Sequence, residues 1–180
     1  MSKIKKLKFG VIGTGFYSTL QIPAWYELGG VELVALFNRT KSKAEKIAEK
    51  YPTAKVYDDP EEMLLSSDLD FLDIITEVPV HEKFVLLAAK HKIPVICQKP
   101  MSETFKSCLK MNNACKKAGI TFFIHENFRY QPMFQQFKKV LEEDIIGKIR
   151  RVEIFIKNGG KEIFTWHLPG NEFYSISVKS

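Results

Sequence analysis

The sequence predicts an α/β protein built on a doubly wound parallel sheet, and three observations carry that expectation. Short aliphatic stretches, such as Val31–Phe37 (VELVALF) and Val95-Ile96-Cys97, alternate with helix-forming stretches over the first two thirds of the chain. A tight turn, Gly13-Thr14-Gly15, separates the first aliphatic stretch from the first helical one. Polar residues (Asn38, Thr76, Lys99 and Asn127) fall at or just beyond the ends of the aliphatic stretches. Nearly continuous apolar strands are those buried on both faces, and repeated strand–helix–strand units cover a parallel sheet on both sides with right-handed crossovers.

The elements follow in order. Phe9, Val11 and Ile12 read as the first buried strand, within LKFGVIGTGFYS. Gly13 permits backbone angles that a Cβ forbids, and Gly15 lets a ligand approach the main chain closely. Phe16 to Leu28 is predicted helical, with Pro23 expected to kink or interrupt it and Gly29-Gly30 to end it. Val31 to Phe37 is the second strand, and Lys41 to Tyr51 a charged helix with Ala44, Ile47 and Ala48 on one face. Val56-Tyr57 is a short third strand. Asp59 then offers an N-cap, Pro60 the first helical position and Glu62 the closing residue of a capping box. Phe71 to Ile75 is the fourth strand, and Pro79 opens a helix running to His91. Val95 to Cys97 is the fifth strand, Thr104 to Ala118 a helix stopped by Gly119, and Ile120 to Ile124 the sixth strand. From Tyr130 the pattern changes. Pro132 to Glu143 reads as a helix broken at Gly147, Ile149 to Ile156 alternates like a strand of a second, more exposed sheet, and Asn158-Gly159-Gly160 is a turn. Residues 161–180 offer only fragments of a pattern.

Composition narrows the classes. With 180 residues, 45% hydrophobic and 14 of them Phe, the chain can bury a sizeable core. It holds no apolar run of membrane-spanning length, and Lys3, Lys5, Lys6 and Lys8 adjoin no signal-type core, so a cytoplasmic protein without a membrane partner is expected. Cys97, Cys108 and Cys115 lack C-x-x-C spacing and read as reduced thiols, with no metal site. The net charge of +6 is spread along the chain without aromatic interleaving, which argues against nucleic acid and suits a phosphate-bearing cofactor.

A glycine turn between a first strand and a first helix is a device for binding a dinucleotide, because the helix N-terminus presents free N–H groups and a positive dipole end to the pyrophosphate. Ser18, where a third glycine is usual, remains small enough for close packing. At the end of the second strand an acid would hold the adenine ribose diol and repel a 2′-phosphate; Asn38 stands there instead. With Arg39 able to pair a phosphate, and Thr40, Lys41 and Lys43 adding donors and charge, NADP is expected over NAD. The alternative is that Asn38 merely ends a strand and Arg39 is solvated.

Five pieces together, GTGF at Gly13–Phe16, NRTKSKAEKIA at Asn38–Ala48, TEVPVHEKF at Thr76–Phe84, CQKP at Cys97–Pro100 and HENFRYQP at His125–Pro132, resemble the Gfo/Idh/MocA family. The resemblance covers residues 7 to about 156. It implies a Rossmann domain at 1–128, followed at 129–180 by the beginning of an α+β domain whose open sheet, in full-length relatives, packs against another subunit to give a homo-oligomer. It also implies an NAD(P)-dependent oxidoreductase that moves hydride between the nicotinamide and a small hydroxyl compound, a sugar or polyol. Lys99 is the implied catalytic residue, handling the hydroxyl proton; an ordinary surface lysine is the alternative. Gly13, Thr14, Gly15, Phe16, Tyr17, Asn38, Arg39, Thr40, Thr76, His81, Gln98, Lys99 and Asn127 are the implied cofactor contacts, His81 being equally readable as an exposed helix residue. Three departures stand out. The usual E-K-P reads Gln98-Lys99-Pro100, the His often found in the first helix is Gln21, and members are considerably longer, with a downstream Asp and His that have no counterpart here. The expectation is a chain truncated after its cofactor domain that binds a dinucleotide but turns over polyols poorly, the competing reading being a non-catalytic NADP-binding or interaction module.

Overall fold

In a strand, successive side chains point to opposite faces, so each apolar run of this sequence serves two layers of helices at once. A computed structural model describes residues 5–145, 147–148 and 150, together with the backbone of 155–156 and 174–175. The chain divides into two compact units, Met1–Asn127 and Phe128–Ser180. The first contains β1 (Leu7–Ile12), α1 (Ser18–Leu28), β2 (Val31–Phe37), α2 (Lys41–Ala48), β3 (Lys55–Tyr57), α3 (Pro60–Ser66), β4 (Phe71–Ile74), α4 (His81–Lys90), β5 (Val95–Gln98), α5 (Phe105–Ala118) and β6 (Phe122–His125). Its six strands lie in the order β3-β2-β1-β4-β5-β6, every pair parallel. The order reverses between β1 and β4, which makes the C-terminal end of β1 the switch point where such sheets open a crevice.

Two cores result. Phe9, Val11 and Leu33 pack with Ile22, Ala44 and Trp25 from α1 and α2, and the Phe9 and Phe71 rings stack at 5.2 Å. On the other face Leu72, Ile74, Val95 and Cys97 pack with Phe84, Val85, Ala88, Met111 and Cys115 from α4 and α5. Each large apolar side chain buried this way contributes about 1.5–3 kcal/mol. A one-residue slip of any central strand would turn its whole set outward, so burial fixes the register and, with it, where the strand ends stand.

The boundaries differ from expectation in ways the hydrogen bonds explain. α1 starts at Ser18, because Phe16 and Tyr17 belong to the turn; the Ser18 hydroxyl donates to the Gly15 carbonyl at 2.6 Å. The helix runs through Pro23 without interruption. α2 ends at Ala48, after which Lys50 and Tyr51 bond three residues back, to Ile47 and Ala48, in a tighter turn. Pro79 lies in a 3-10 turn, Val78–Val80, and α4 follows it. Asp59 caps α3 by accepting from the Glu62 N–H at 2.8 Å, Thr104 caps α5 through Ser107, and Gly119 ends α5 at φ +70°.

The second unit contains α6 (Pro132–Glu142) and two short strands, β7 (Phe155–Ile156) and β8 (Tyr174–Ser175), paired antiparallel. The expected strand at Ile149–Ile156 falls mostly outside the described residues, as do the Asn158–Gly160 turn and the fragments of 161–173. Cys97 and Cys115 are buried free thiols and Cys108 is half-buried. Among the described residues no helix is long and apolar enough to cross a membrane, and no cluster of His, Cys, Asp or Glu could hold a metal ion.

Gly13 is the residue on which the turn depends. Its φ is +100°, and a Cβ there would sit 2.7 Å from the Ile75 carbonyl carbon and nearer still to its oxygen. Gly13→Ala should therefore lower unfolding stability by roughly 2 kcal/mol or more. Urea denaturation checks it, and a loss below about 0.5 kcal/mol, the level of a neutral surface change, would contradict this packing.

Candidate functional site

The site is built from the ends of β1, β2, β4 and β5. Gly13 N–H donates to the Phe37 carbonyl at 2.9 Å, tying the turn to the end of β2. Thr14 N–H donates to Asn38 Oδ1 at 3.1 Å, and Asn38 Nδ2 donates to the Thr40 carbonyl at 2.9 Å. The amide of Asn38 is thus a brace between two loops, a role its position in the sequence did not disclose. An Asp could accept from Thr14 but would set a carboxylate oxygen against the Thr40 carbonyl. Arg39 and Thr40, exposed beside it, are the groups left for a ligand. Lys41 is engaged with Asp58 at 2.6 Å.

Within the turn, nothing among the described residues accepts from the N–H groups of Gly15, Phe16 and Tyr17. A Cβ on Gly15 would meet no atom within 4 Å, so this backbone faces open space. The hydroxyls of Thr14 and Thr76 are buried and unpaired among the described residues, and Thr76 lies against Gly13. Unpaired donors at a helix start, an open cradle beside them and two orphaned hydroxyls fit an anionic, oxygen-rich ligand, which is what a dinucleotide pyrophosphate is.

Lys99 follows β5, half-buried, with its ammonium 5.9 Å from the centroid of the Tyr17 ring. The Lys99-Pro100 bond is cis. His81 requires a correction as a cofactor contact. The ring is 0% exposed, with Nδ1 3.1 Å from the Pro100 carbonyl and Nε2 3.1 Å from the Thr76 carbonyl. Enclosed by backbone oxygens, it has no surface to offer a ligand; it clamps the loop after Lys99 to the loop after β4. Asn127 is exposed in a 3-10 turn just beyond β6.

Behind Lys99 lies a polar network that the sequence reading missed. Asp73, in the middle of β4, is 0% exposed. It accepts from Gln21 Nε2 at 2.8 and 2.7 Å and from Trp25 Nε1 at 2.8 Å. Gln98 Nε2 donates to Gln21 Oε1 and lies 3.0 Å from His125 Nδ1. Burial pushes the Asp73 carboxyl up to about 7, against the pull of its Trp25 and Gln21 hydrogen bonds. Burial, with the Asp73 charge adding to it, pushes the Cys97 thiol up to about 12, so this cysteine is inert. The available signal was a lone acid inside an apolar run, FLDII.

A carboxyl whose pKa rises on folding holds its proton more tightly in the fold than in the open chain. Its support for the fold is complete at low pH and is lost as pH rises from 3.8 through about 7, a loss of about 4 kcal/mol. Asp73→Asn should therefore gain stability relative to the parent across that interval, by up to a few kcal/mol. Chemical denaturation of both proteins at a series of pH values tests this, and a difference that stays constant with pH would contradict a buried, titrating carboxyl.

Comparison with known proteins agrees with this geometry. Residues 7–126 match the Gfo/Idh/MocA family model, described as an oxidoreductase family with an NAD-binding Rossmann fold. A D-apiose dehydrogenase of Paraburkholderia graminis is 36% identical over 144 residues, 80% of this chain and 38% of that protein. An NADP-dependent scyllo-inositol 2-dehydrogenase of Bacillus subtilis is 26% identical over 145 residues, 81% of this chain and 44% of that protein. A crystal structure of an Agrobacterium radiobacter oxidoreductase with NAD+, L-tartaric acid and magnesium superposes with a TM-score of 0.81 at 32% identity, covering 88% of this chain and 46% of that one. The chain thus spans about two fifths of the length of the curated relatives it matches. With its 3-2-1-4-5-6 parallel sheet and its open glycine turn, the chain belongs to the Gfo/Idh/MocA family of oxidoreductases.

Proposed function

We propose that this chain is the cofactor-binding part of an NAD(P)-dependent dehydrogenase acting on a sugar, polyol or related hydroxyl compound. The observation that carries the reading is the open turn at Gly15, with three N–H groups at the start of α1 unpaired among the described residues, standing next to the half-buried Lys99. Those N–H groups would hold the pyrophosphate, with Arg39 and Thr40 at the adenine ribose and Gln98, Lys99 and Asn127 toward the nicotinamide. Accepting and returning hydride is the chemistry that a bound dinucleotide supplies. With its side chain as the free amine Lys99 would accept the hydroxyl proton when the alcohol is oxidised, and as the ammonium it would return that proton when the carbonyl is reduced. Tyr17 beneath its ammonium restrains the side chain's reach. Residues 128–180 correspond, by the family resemblance, to the start of the α+β domain that in relatives packs against another subunit, and that resemblance supports a homo-oligomer and a cytoplasmic location.

NADP is the proposed preference, supported by Arg39 and Thr40, exposed at the end of β2 with no carboxylate at position 38. Removing a charge-assisted bond to a 2′-phosphate should cost about 1.5–3 kcal/mol, roughly ten- to a hundredfold in affinity. Fluorescence titration with NADPH and NADH should show tighter NADPH binding, reduced by that factor in Arg39→Ala while NADH binding changes little. Equal or tighter NADH binding by the parent sinks the preference.

Gly15→Val separates the site from the fold. Its Cβ meets no atom within 4 Å and the side chain fills the cradle, so the far-ultraviolet circular dichroism of an α/β protein should persist while dinucleotide affinity falls more than about tenfold. Unchanged affinity would place the dinucleotide elsewhere.

A further inference from the structure

Strand alternation puts three polar side chains on the face of the sheet that α1 covers. On β4, Leu72 and Ile74 point into the α4–α5 core, leaving Asp73 toward α1. On β5, Val95 and Cys97 point the same way, leaving Gln98 toward α1, and on β6 His125 stands opposite Gln98 in the register. Gln21, 7% exposed on α1, bridges Asp73 and Gln98.

The donor and acceptor roles along this row are determined from one end. At a pH above about 7 Asp73 is ionised and only accepts, and Trp25 Nε1 only donates, so Gln21 must turn its NH2 toward Asp73. Its carbonyl oxygen then faces Gln98, which must answer with its own NH2. That nitrogen is the Gln98 atom facing both Gln21 and His125, so its second proton goes to His125 Nδ1. Nδ1 accepts, and in a neutral ring the proton resides on Nε2. Among the described residues Nε2 has no partner, and the ring is half-buried.

We propose that Asp73 is a positioning residue for the Lys99 site: through Gln21 and Gln98 it holds His125 as the Nε2–H tautomer, so that the ring offers a hydrogen-bond donor to a ligand oxygen and proton exchange is left to Lys99. Burial and the Lys99 charge both lower the pKa of His125, outweighing Glu126, which favours the neutral ring the tautomer requires. The assignment to a ligand rests on the dehydrogenase reading; the tautomer does not.

The test reads the tautomer directly on the full chain without ligand, by long-range proton–nitrogen correlation of 15N-histidine at a pH well above the Asp73 value. A His125→Gln sample assigns the signals among the four histidines. The parent should show an unprotonated Nδ1 and a protonated Nε2. In Asp73→Asn, Trp25 keeps the amide oxygen at the Oδ2 position, and the new NH2 takes the Oδ1 position 2.8 Å from Gln21 Nε2; relieving that donor–donor contact reverses both glutamines, and His125 then carries its proton on Nδ1. Gln98→Glu, at a half-buried position, forces the same change by presenting only acceptors, and keeps the proposal testable should Asp73→Asn not fold. A parent ring protonated on Nδ1 alone, or an Nε2–H tautomer retained in either folded variant, overturns the proposal. Titrating the same samples with NADPH keeps the two readings apart, since absent binding sinks the dehydrogenase reading and leaves the tautomer result standing.

Discussion

Everything at the ligand end of the sheet hangs on the backbone of Gly13. It leaves β1 where the strand order reverses, is held to β2 through the Phe37 carbonyl, and passes so close to Ile75 that no side chain fits. That close passage sets Thr76 against the turn, and the helix that follows starts at Ser18 with its N–H groups facing open space. The apolar cores supply the rigidity beneath: because burial fixes the register of β1, β4 and β5, the positions of Thr76 and Lys99 follow from side chains that touch no ligand. Chemistry at such a site belongs to loops, but its precision belongs to the strands.

What could be read from the sequence was what repeats or what is locally determined. The six strands, the caps at Asp59 and Thr104, and the glycine turn are set by neighbours a few residues away, and the pattern displays them. The placement of Lys99 at the end of β5 was legible for the same reason. Side-chain partnerships across the sheet were not. His81 is enclosed by carbonyls from Thr76 and Pro100, and Asn38 braces Thr14 and Thr40, partnerships that the residue types alone did not display. Asp73 meets Gln21 and Trp25 only because β4 passes under α1, a meeting that no spacing rule encodes. The ends of α1 and α2 shifted because Ser18 and Tyr51 found tighter local hydrogen bonds than a continued helix offers.

The buried carboxylate opposes folding, since burial costs Asp73 more than its hydrogen bonds return. A stability argument alone would replace it with an aliphatic residue packed against Phe71 and Trp25. Its presence is intelligible if an acceptor that cannot donate is what the position supplies. A row of amides has no preferred direction, because each can turn over; one ionised end gives the row a polarity and transmits it to the strand end where the ligand space opens.

The same contact gives meaning to the two side chains by which the site departs from its family. Where the family resemblance implies Glu before the lysine and His in the first helix, this chain has Gln98 and Gln21, and these two residues touch. A carboxylate and an imidazole in contact form a charged or proton-sharing pair, whereas two amides form a neutral bond whose direction is set by its surroundings. Changing position 98 alone to the acid would set a carboxylate against the Gln21 carbonyl oxygen, held in place by Asp73. Changing position 21 alone to the imidazole would leave Gln98 without the oxygen that orients it. The two positions are therefore coupled through one contact, which in this chain is neutral and takes its direction from Asp73 beneath.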